Sequence, residues 1–159
     1  MYTFRQALEE DFTAIAALPQ NEQEAYYMFP RGTWPLKPEE LYRASLERKL
    51  AIVMERQGEL AGYCSMYDVA EGESAWLGNV IVSPAARASG ASAELLGHMM
   101  KQGREAFRLK ELHLVCHSTN ARAMLFYRRM GFLPYEVGKT DDWQGNRIAR
   151  VLMKRILTE

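Results

Sequence analysis

Residues 80–132 decide the fold of this chain, and they read VIVSPAARASGASAELLGHMMKQGREAFRLKELHLVCHSTNARAMLFYRRMGF. The stretch begins with the strand-like run Val80-Ile81-Val82 and enters a long amphipathic segment at Gly90, with apolar side chains at helical spacing. Residues 112–116 follow as a short apolar strand, and residues 120–130 have the pattern of a second helix. This strand–helix–strand order predicts a right-handed crossover that joins two parallel strands.

The segments on either side of this stretch predict an α+β fold. Three strand-like runs precede it and predict an antiparallel meander over residues 51–56, 60–69 and 75–82. The other predicted elements are a strand over residues 2–7, a helix capped by Asp11 and closed by Pro19, a loop or short helix over residues 20–37, a helix from Pro38 to Leu50, and a closing hairpin over residues 133–139 and 147–157. A meander followed by a parallel crossover gives a mixed sheet with helices on its faces.

The composition is that of one soluble globular domain, predicted to span residues 1–159. Hydrophobic residues make up 48% and charged residues 25% of the chain, which excludes a disordered protein. The 20 basic residues balance the 20 acidic residues, so binding to nucleic acid is disfavoured. Cys64 and Cys116 match no metal-ligand spacing, and no targeting segment or membrane-length apolar run is visible. We therefore expect a cytoplasmic protein with reduced cysteines, no metal ion and no membrane contact.

The turn between the first strand and the long helix has the features of a phosphate site. Small residues leave the backbone amides open, the start of the helix adds a partial positive charge, and Arg87 adds a full one. The residues concerned are Arg87, Ala88, Ser89, Gly90, Ala91, Ser92 and Ala93. The simpler interpretation is a tight strand-to-helix turn without a ligand. The sequence has no P-loop, which excludes a P-loop nucleotide hydrolase, and the lack of a dinucleotide-binding glycine motif disfavours a Rossmann domain.

Two motifs in this stretch resemble those of the GCN5-related N-acetyltransferases, the GNAT family. Arg87-x-x-Gly90-x-Ser92 is similar to the acyl-CoA signature of the family, with Ser92 where a Gly or Ala is usual. Asn120-x-x-Ala123-x-x-x-Tyr127-x-x-x-Gly131-Phe132 resembles the second family motif, and it follows in the right order. The resemblance covers nearly the whole chain, because the predicted element order matches that fold from end to end.

The resemblance implies a sheet of about six or seven strands with a splayed parallel central pair, helices on both faces and acetyl-CoA as cosubstrate. The pantetheine arm of acetyl-CoA is expected to lie against the backbone of Val80, Ile81 and Val82 and to form a hydrogen bond with Asn120. Its pyrophosphate is expected to lie on the backbone of residues 88–93, beside Arg87. The implied reaction is direct transfer of an acetyl group to a primary amine.

The resemblance also assigns the catalytic groups. Tyr127 matches the family's general acid, which protonates the departing thiolate; alternatively, Tyr127 is one more apolar-face residue at helical spacing. Many family members carry a glutamate base five residues before the motif asparagine, and Val115 stands there in this chain. The base is therefore either ordered water or His117, whose intrinsic pKa suits the task.

The acceptor is the part of the reaction that the sequence leaves open. A proline-broken loop carries four aromatic residues, and it lies where the family places its variable acceptor-binding elements; the residues are Tyr26, Tyr27, Phe29 and Trp34. These rings either form an amine pocket or cap the core. Four acidic turn residues, Glu71, Glu73, Asp141 and Asp142, are expected to be solvated and could attract a cationic acceptor. A polyamine, an antibiotic amine, an amino acid and a peptide lysine or N-terminus remain candidates.

Two other functions compete with acetyl transfer. One is a non-catalytic module that binds or senses acyl-CoA, which the missing glutamate favours. The other is a phosphate-binding domain unrelated to CoA. The chain is expected to be a monomer or a homodimer.

Overall fold

The computed structural model describes residues 1–157, which form a mixed sheet with helices on both faces. The strands are β1 (Thr3–Gln6), β2 (Lys49–Arg56), β3 (Glu59–Ala70), β4 (Ser74–Val82), β5 (Glu111–His117), β6 (Leu133–Asp141) and β7 (Arg147–Ile156). The helices are α1 (Phe12–Ala16), α2 (Glu22–Met28), α3 (Pro38–Leu46), α4 (Ala91–Phe107) and α5 (Ala121–Arg129), with single 3-10 turns at Glu9–Asp11 and Pro84–Ala86. The predicted domain also includes residues 158–159, which lie outside the described residues.

The predicted α+β fold is confirmed, and most element ends differ from the prediction by a few residues. The segment predicted as a loop or short helix contains α2, which Asn21 caps by accepting a hydrogen bond from the backbone of Glu24. The helix predicted to reach Leu50 ends at Leu46, because the chain already enters β2 at Lys49. Pro38 occupies the first turn of α3, where its missing N–H costs no hydrogen bond.

The seven strands of residues 1–157 have the order β1-β2-β3-β4-β5-β7-β6. Neighbouring strands are antiparallel except for the central β4–β5 pair. That parallel pairing covers Ser74 to Trp76 against Glu111 to His113, and beyond it the two strands separate. The splayed parallel pair that the family resemblance implied is therefore present.

Two hydrophobic cores lie on opposite faces of the sheet, because successive strand residues point to opposite sides. Cys64 and Met66 of β3 pack under α4 and α5, whereas Tyr63 packs under α1, α2 and α3. The first core is dominated by the fully buried α4 residues Leu95 and Met99. Within residues 1–157, no helix is both long enough and apolar enough to span a membrane.

Candidate active site

A cavity of about 680 Å³ lies where β4 and β5 diverge. Both strands line it, together with α5 on one side of the sheet and the end of α2 on the other. Its lining includes Leu77, Gly78, Asn79 and Val80 of β4, Leu114, Val115, Cys116 and His117 of β5, and Asn120, Ala123 and Tyr127 of α5. A volume of this size suits a small-molecule site.

A β-bulge in β4 forms one wall of the opening. Asn79 and Val80 lie opposite one residue of β3, and Asn79 has a left-handed backbone with φ 53°. The buried Asn79 side chain donates through Nδ2 to the carbonyl of Met28 at 2.9 Å, which fixes the end of α2 against β4. Sequence reasoning missed Asn79. The pair Gly78-Asn79 inside a strand was the available signal, because both residue types are depleted in strands.

The β5-facing edge of β4 has no strand partner after Trp76 within the described residues. The other edge stays paired with β3, where Ile81 lies opposite Tyr63 and Val82 opposite Gly62. The predicted pantetheine-binding residues Val80, Ile81 and Val82 lie along this stretch. Its free backbone groups fit an extended amide-containing arm, which can bond as an added strand.

The predicted phosphate turn lies at the N-terminal end of the 17-residue helix α4, outside the 680 Å³ cavity. Gly90 is the N-cap residue with φ 77°, and a Cβ there would meet no atom within 4 Å. Ser89 is held in place, because its hydroxyl donates to the carbonyl of Ala86 and bonds to the Tyr2 hydroxyl. The first-turn amides of Ala91, Ser92 and Ala93 have no helical partner. The turn is therefore an open cradle that fits a pyrophosphate group.

The Arg87 side chain differs from its predicted state. Its Nε donates to the carbonyl of Val82 at 3.1 Å, and its two terminal nitrogens each bond a carboxylate oxygen of Glu24 at 2.9 Å. The hydrogen bonds from Arg87 lower the pKa of the Glu24 carboxyl, so this partner stays ionised near neutral pH. The Arg87 guanidinium was expected to face a phosphate, but it is already paired with the Glu24 carboxylate on α2.

Tyr127 and Asn120 approach the cavity from α5. The Tyr127 ring packs against Phe126 and Phe132, at centroid distances of 5.7 and 6.0 Å. Burial raises the pKa of the Tyr127 hydroxyl far above its usual value, so the group keeps its proton. Asn120 caps α5 by accepting a hydrogen bond at Oδ1 from the backbone of Ala123. Its Nδ2 group remains available to a ligand.

His117 is the imidazole nearest to the predicted chemistry. It is 7% exposed and packs against the rings of Tyr26 and Tyr27, at centroid distances of 4.8 and 5.9 Å. Burial, and then the charge of Arg150, lower the pKa of His117 below its usual value, so the ring is neutral at neutral pH and able to accept a proton. Val115 also lines the cavity, so no carboxylate occupies the usual position of the base.

His113 lies outside the cavity, although it shares a strand face with His117. Its Nδ1 lies 2.7 Å from the hydroxyl of Tyr135, and its Nε2 lies 2.9 Å from a carboxylate oxygen of Glu111. Both ring nitrogens are therefore engaged away from the divergence of β4 and β5.

The predicted aromatic pocket is present in part. Tyr26, Tyr27 and Phe29 line the cavity, and Phe29 is also buried in the core under α1 to α3. Trp34 does not line the cavity and is 42% exposed, which corrects its predicted place in the pocket. Leu36, two residues further on, is buried in the core under α1 to α3.

Trp143, in the loop between β6 and β7, joins the aromatic group. Its ring lies 5.9 Å from Tyr26 and 6.5 Å from Tyr27 between centroids. The Tyr26 hydroxyl donates to the carbonyl of Asp141 at 2.7 Å, and the Tyr27 hydroxyl bonds that of Thr119 at 2.8 Å. The β6–β7 loop is thereby held against α2 at the edge of the cavity.

In the part of the chain that the structure describes, three basic and two acidic residues line the cavity. They are Arg31, Arg48 and Arg150, against Glu47 and Asp68. Of the predicted acidic turn residues, Glu71, Glu73 and Asp141 form ion pairs with Arg108, Lys110 and Arg147, and none of the four lines the cavity. Asp141 and Asp142 nevertheless lie beside it, since burial and then their charges raise the pKa of the cavity-lining Tyr26. Among residues 1–157, no three His, Cys, Asp or Glu side chains are arranged to hold a metal ion.

Comparison with known proteins gives one family and one fold. Residues 6–132 match the sequence model of the family described as "Acetyltransferase (GNAT) family". A candidate phosphinothricin N-acetyltransferase superposes with a TM-score of 0.83 at 19% identity over 100% of both chains. The spermidine N-acetyltransferase of Vibrio cholerae, solved with CoA and spermine, superposes with a TM-score of 0.81 at 20% identity, over 98% of this chain and 95% of that chain.

A Salmonella typhimurium protein solved with its cofactor acetyl-CoA has a TM-score of 0.75 at 20% identity, over 100% of this chain and 95% of that chain. Identities this low establish the shared fold and leave the acceptor open. No match was found among curated protein sequences.

Proposed function

This chain belongs to the GNAT family of acetyltransferases, and on that premise we propose that it moves an acetyl group from acetyl-CoA to a primary amine. The amine attacks the thioester directly, with both substrates bound together. The observation that carries the proposal is the divergence of β4 and β5, which opens a cavity with Tyr127 on its wall.

Three features of the chain fit acetyl-CoA. The open turn at Gly90 accepts the pyrophosphate, the unpaired edge of β4 accepts the pantetheine amides, and Nδ2 of Asn120 adds a donor. A backbone amide near Val82 is suited to stabilise the oxyanion, because a fixed donor acts where negative charge develops. Acetyl-CoA supplies the activated acyl group.

Tyr127 acts as the general acid in this proposal. The amine nitrogen forms a bond to the carbonyl carbon, and the bond from that carbon to sulfur breaks. The electron pair of the broken bond stays on sulfur, which takes the Tyr127 proton; solvent then restores that proton. Burial raises the pKa of Tyr127, so the phenol is protonated at any working pH, as a general acid must be, although the same shift makes it a weaker acid.

The amine must lose a proton to react, and His117 or an ordered water receives it. His117 supports the first possibility because it is neutral, buried and on the cavity wall. The acceptor enters from the side of α2, past Tyr26 and Tyr27. These residues form the wall opposite to α5.

Two measurements test the proposal. Acetyl-CoA at roughly 100 times its Kd should stabilise the fold by about 2.7 kcal/mol, which a thermal shift detects. A panel of primary amines incubated with acetyl-CoA should yield a product heavier by one acetyl group, with release of free thiol. If millimolar acetyl-CoA gives no shift and no amine is acetylated, the proposal is wrong.

A second function keeps one observation in its favour. Val115 stands where a base is usual, which is compatible with a module that binds acyl-CoA without turnover. That module predicts stabilisation by acetyl-CoA and no thiol release with any amine. If even one amine is acetylated at a rate that depends on Tyr127, the non-catalytic module is ruled out.

A further inference from the structure

Arg48 places a positive charge inside the cavity, just after the end of α3. Its Nη1 donates to the Ser65 hydroxyl at 3.2 Å, and its guanidinium carbon lies 4.7 Å from the centre of the Tyr67 ring. The guanidinium lies over Gly78, and a Cβ on Gly78 would collide with it. The absence of a side chain on β4 at this position therefore creates the space that Arg48 occupies.

The half-buried guanidinium of Arg48 has no anionic partner. Within residues 1–157, no carboxylate oxygen lies within 4.0 Å of Arg48, nor of the cavity-lining Arg31 and Arg150. Glu47 and Asp68 also line the cavity, but they pair with none of these arginines. Arg48 carries five N–H donors, and its one hydrogen bond to a side chain goes to a neutral hydroxyl.

An uncompensated charge in this environment is costly. Burial is the main cause that lowers the pKa of Arg48 from its usual value, and the charge of Arg31 adds to it. The charges of Arg48, Asp68, Arg150 and Arg31 all act on the Tyr67 phenol, so three guanidinium groups and one carboxylate lie near this region of the cavity. An anion bound there would relieve both the desolvation and the mutual repulsion.

We propose that the acceptor amine carries an oxyanion, either a carboxylate or a phosphorus oxyanion, and that Arg48 binds it. Arg31 and Arg150 add positive charge at the rim of the cavity. This inference rests on the proposed acetyl transfer, and it names the class of acceptor.

The proposed acceptor therefore combines a primary amine with an oxyanion, as amino acids and aminoalkyl phosphorus acids do. A polyamine has no anionic group for Arg48 to bind.

Matched acceptor pairs test this inference. Each of the twenty L-amino acids is compared with its primary amide, and aminomethylphosphonate is compared with methylamine, by product mass and by kcat/KM. We expect at least one acid to react 10- to 100-fold faster than its uncharged partner, as for hydrogen bonds to a charged group. In the presence of CoA, that acid should also raise the Tm when its amide does not.

Variants of Arg48 separate anion binding from a structural role. Arg48→Met should lower kcat/KM for the acid roughly 10- to 100-fold, whereas kcat/KM for the matching amide should not change. Arg48→Lys should recover part of the loss for the acid. Arg43→Met is the control, because Arg43 is exposed on α3 and outside the cavity. The inference is wrong if acids and amides react at equal rates, or if Arg48→Met lowers kcat/KM equally for both. It is also wrong if no acid binds or reacts. Stabilisation by acetyl-CoA together with acetylation of uncharged amines would leave the proposed function intact.

Discussion

Arg87 and Glu24 form a two-point ion pair, in which each terminal guanidinium nitrogen donates to one carboxylate oxygen at 2.9 Å. The pair joins the turn before α4 to helix α2, which carries Tyr26 and Tyr27 of the cavity wall. Both side chains are about one quarter exposed, at 27% and 24%. The contact thus connects the proposed pyrophosphate site to the proposed acceptor side of the molecule.

Glu24→Gln is expected to tighten acetyl-CoA binding by up to about fivefold at low salt, because the Arg87 charge is then uncompensated. The same change should lower the free energy of unfolding by about 1 kcal/mol. Titration with acetyl-CoA at two salt concentrations and denaturant unfolding provide the measurements. Glu22→Gln is the matched control on the same helix, since Glu22 is exposed and has no ion pair within residues 1–157. Affinity that is unchanged or weaker in Glu24→Gln would contradict this account.

Gly90→Asp is expected to abolish the thermal shift produced by acetyl-CoA. A Cβ at Gly90 meets no protein atom within 4 Å, so the side chain fits, and its carboxylate adds a negative charge at the turn that repels a pyrophosphate. Gly72→Asp is a matched control at the β3–β4 turn, because Gly72 also has positive φ and open space. Both variants should lose about 1 kcal/mol of stability from the left-handed backbone. If acetyl-CoA shifts the Tm of Gly90→Asp as much as that of the wild type, the pyrophosphate does not bind at this turn.

Tyr127→Phe is expected to lower kcat and kcat/KM alike while acetyl-CoA affinity changes little. The ring keeps its contacts with Phe126 and Phe132, and the proton for the departing thiolate is lost. The loss should be about 100-fold, the low end for general acid catalysis, because a thiolate leaves fairly well unaided. Single-turnover kinetics measure the chemical step. A variant as fast as the wild type in that step would make Tyr127 a packing residue.

His117→Phe is expected to make the stability less sensitive to acid. The pKa of His117 is lowered in the fold, so the unfolded chain binds a proton near pH 6.5 while the folded protein does not. Stability therefore falls as the pH drops from about 6.5 to the lowered folded pKa. Phe keeps the packing against Tyr26 and Tyr27 and removes this titration. Unfolding free energies between pH 7.5 and pH 5 compare the two proteins, and identical slopes would show that His117 does not contribute.

The same variant tests the role of His117 in the reaction. If His117 is the base, its replacement removes the fall in kcat/KM at acidic pH that follows its own protonation. If water is the base, the profile follows only the titration of the acceptor amine and is the same in both proteins. His98 remains in both proteins, so its own lowered pKa cancels in the comparison.

Local patterns predicted most of the fold. The alternation in β2 to β4, the helical spacing from Gly90 to Phe107, and Gly131 after α5 are signals that a few neighbouring residues carry. Such signals depend on backbone geometry and on one buried face, so they hold without knowledge of distant contacts. The strand–helix–strand order also predicted the parallel β4–β5 pair correctly.

Local patterns also brought together most of the candidate site. One cavity is lined by six of the residues that the resembled motifs and the aromatic loop had singled out: Tyr26, Tyr27, Phe29, Val80, Asn120 and Tyr127. Trp34 is the exception, since it does not line the cavity and is 42% exposed. Which rings of an aromatic loop reach a cavity depends on tertiary contacts that the composition of the loop does not specify.

By itself, the sequence determined the element order, the two faces of the sheet, the open turn at Gly90 and the missing carboxylate at Val115. The tertiary structure decided how the charges are distributed. Glu24 and Arg87 are 63 residues apart, and their pairing needs α2 to lie beside the turn before α4. Likewise, Arg48 reaches the cavity because Gly78, on β4, leaves space for its guanidinium. Burial and pairing set the chemistry of a charged group, and both depend on neighbours that only the folded chain supplies.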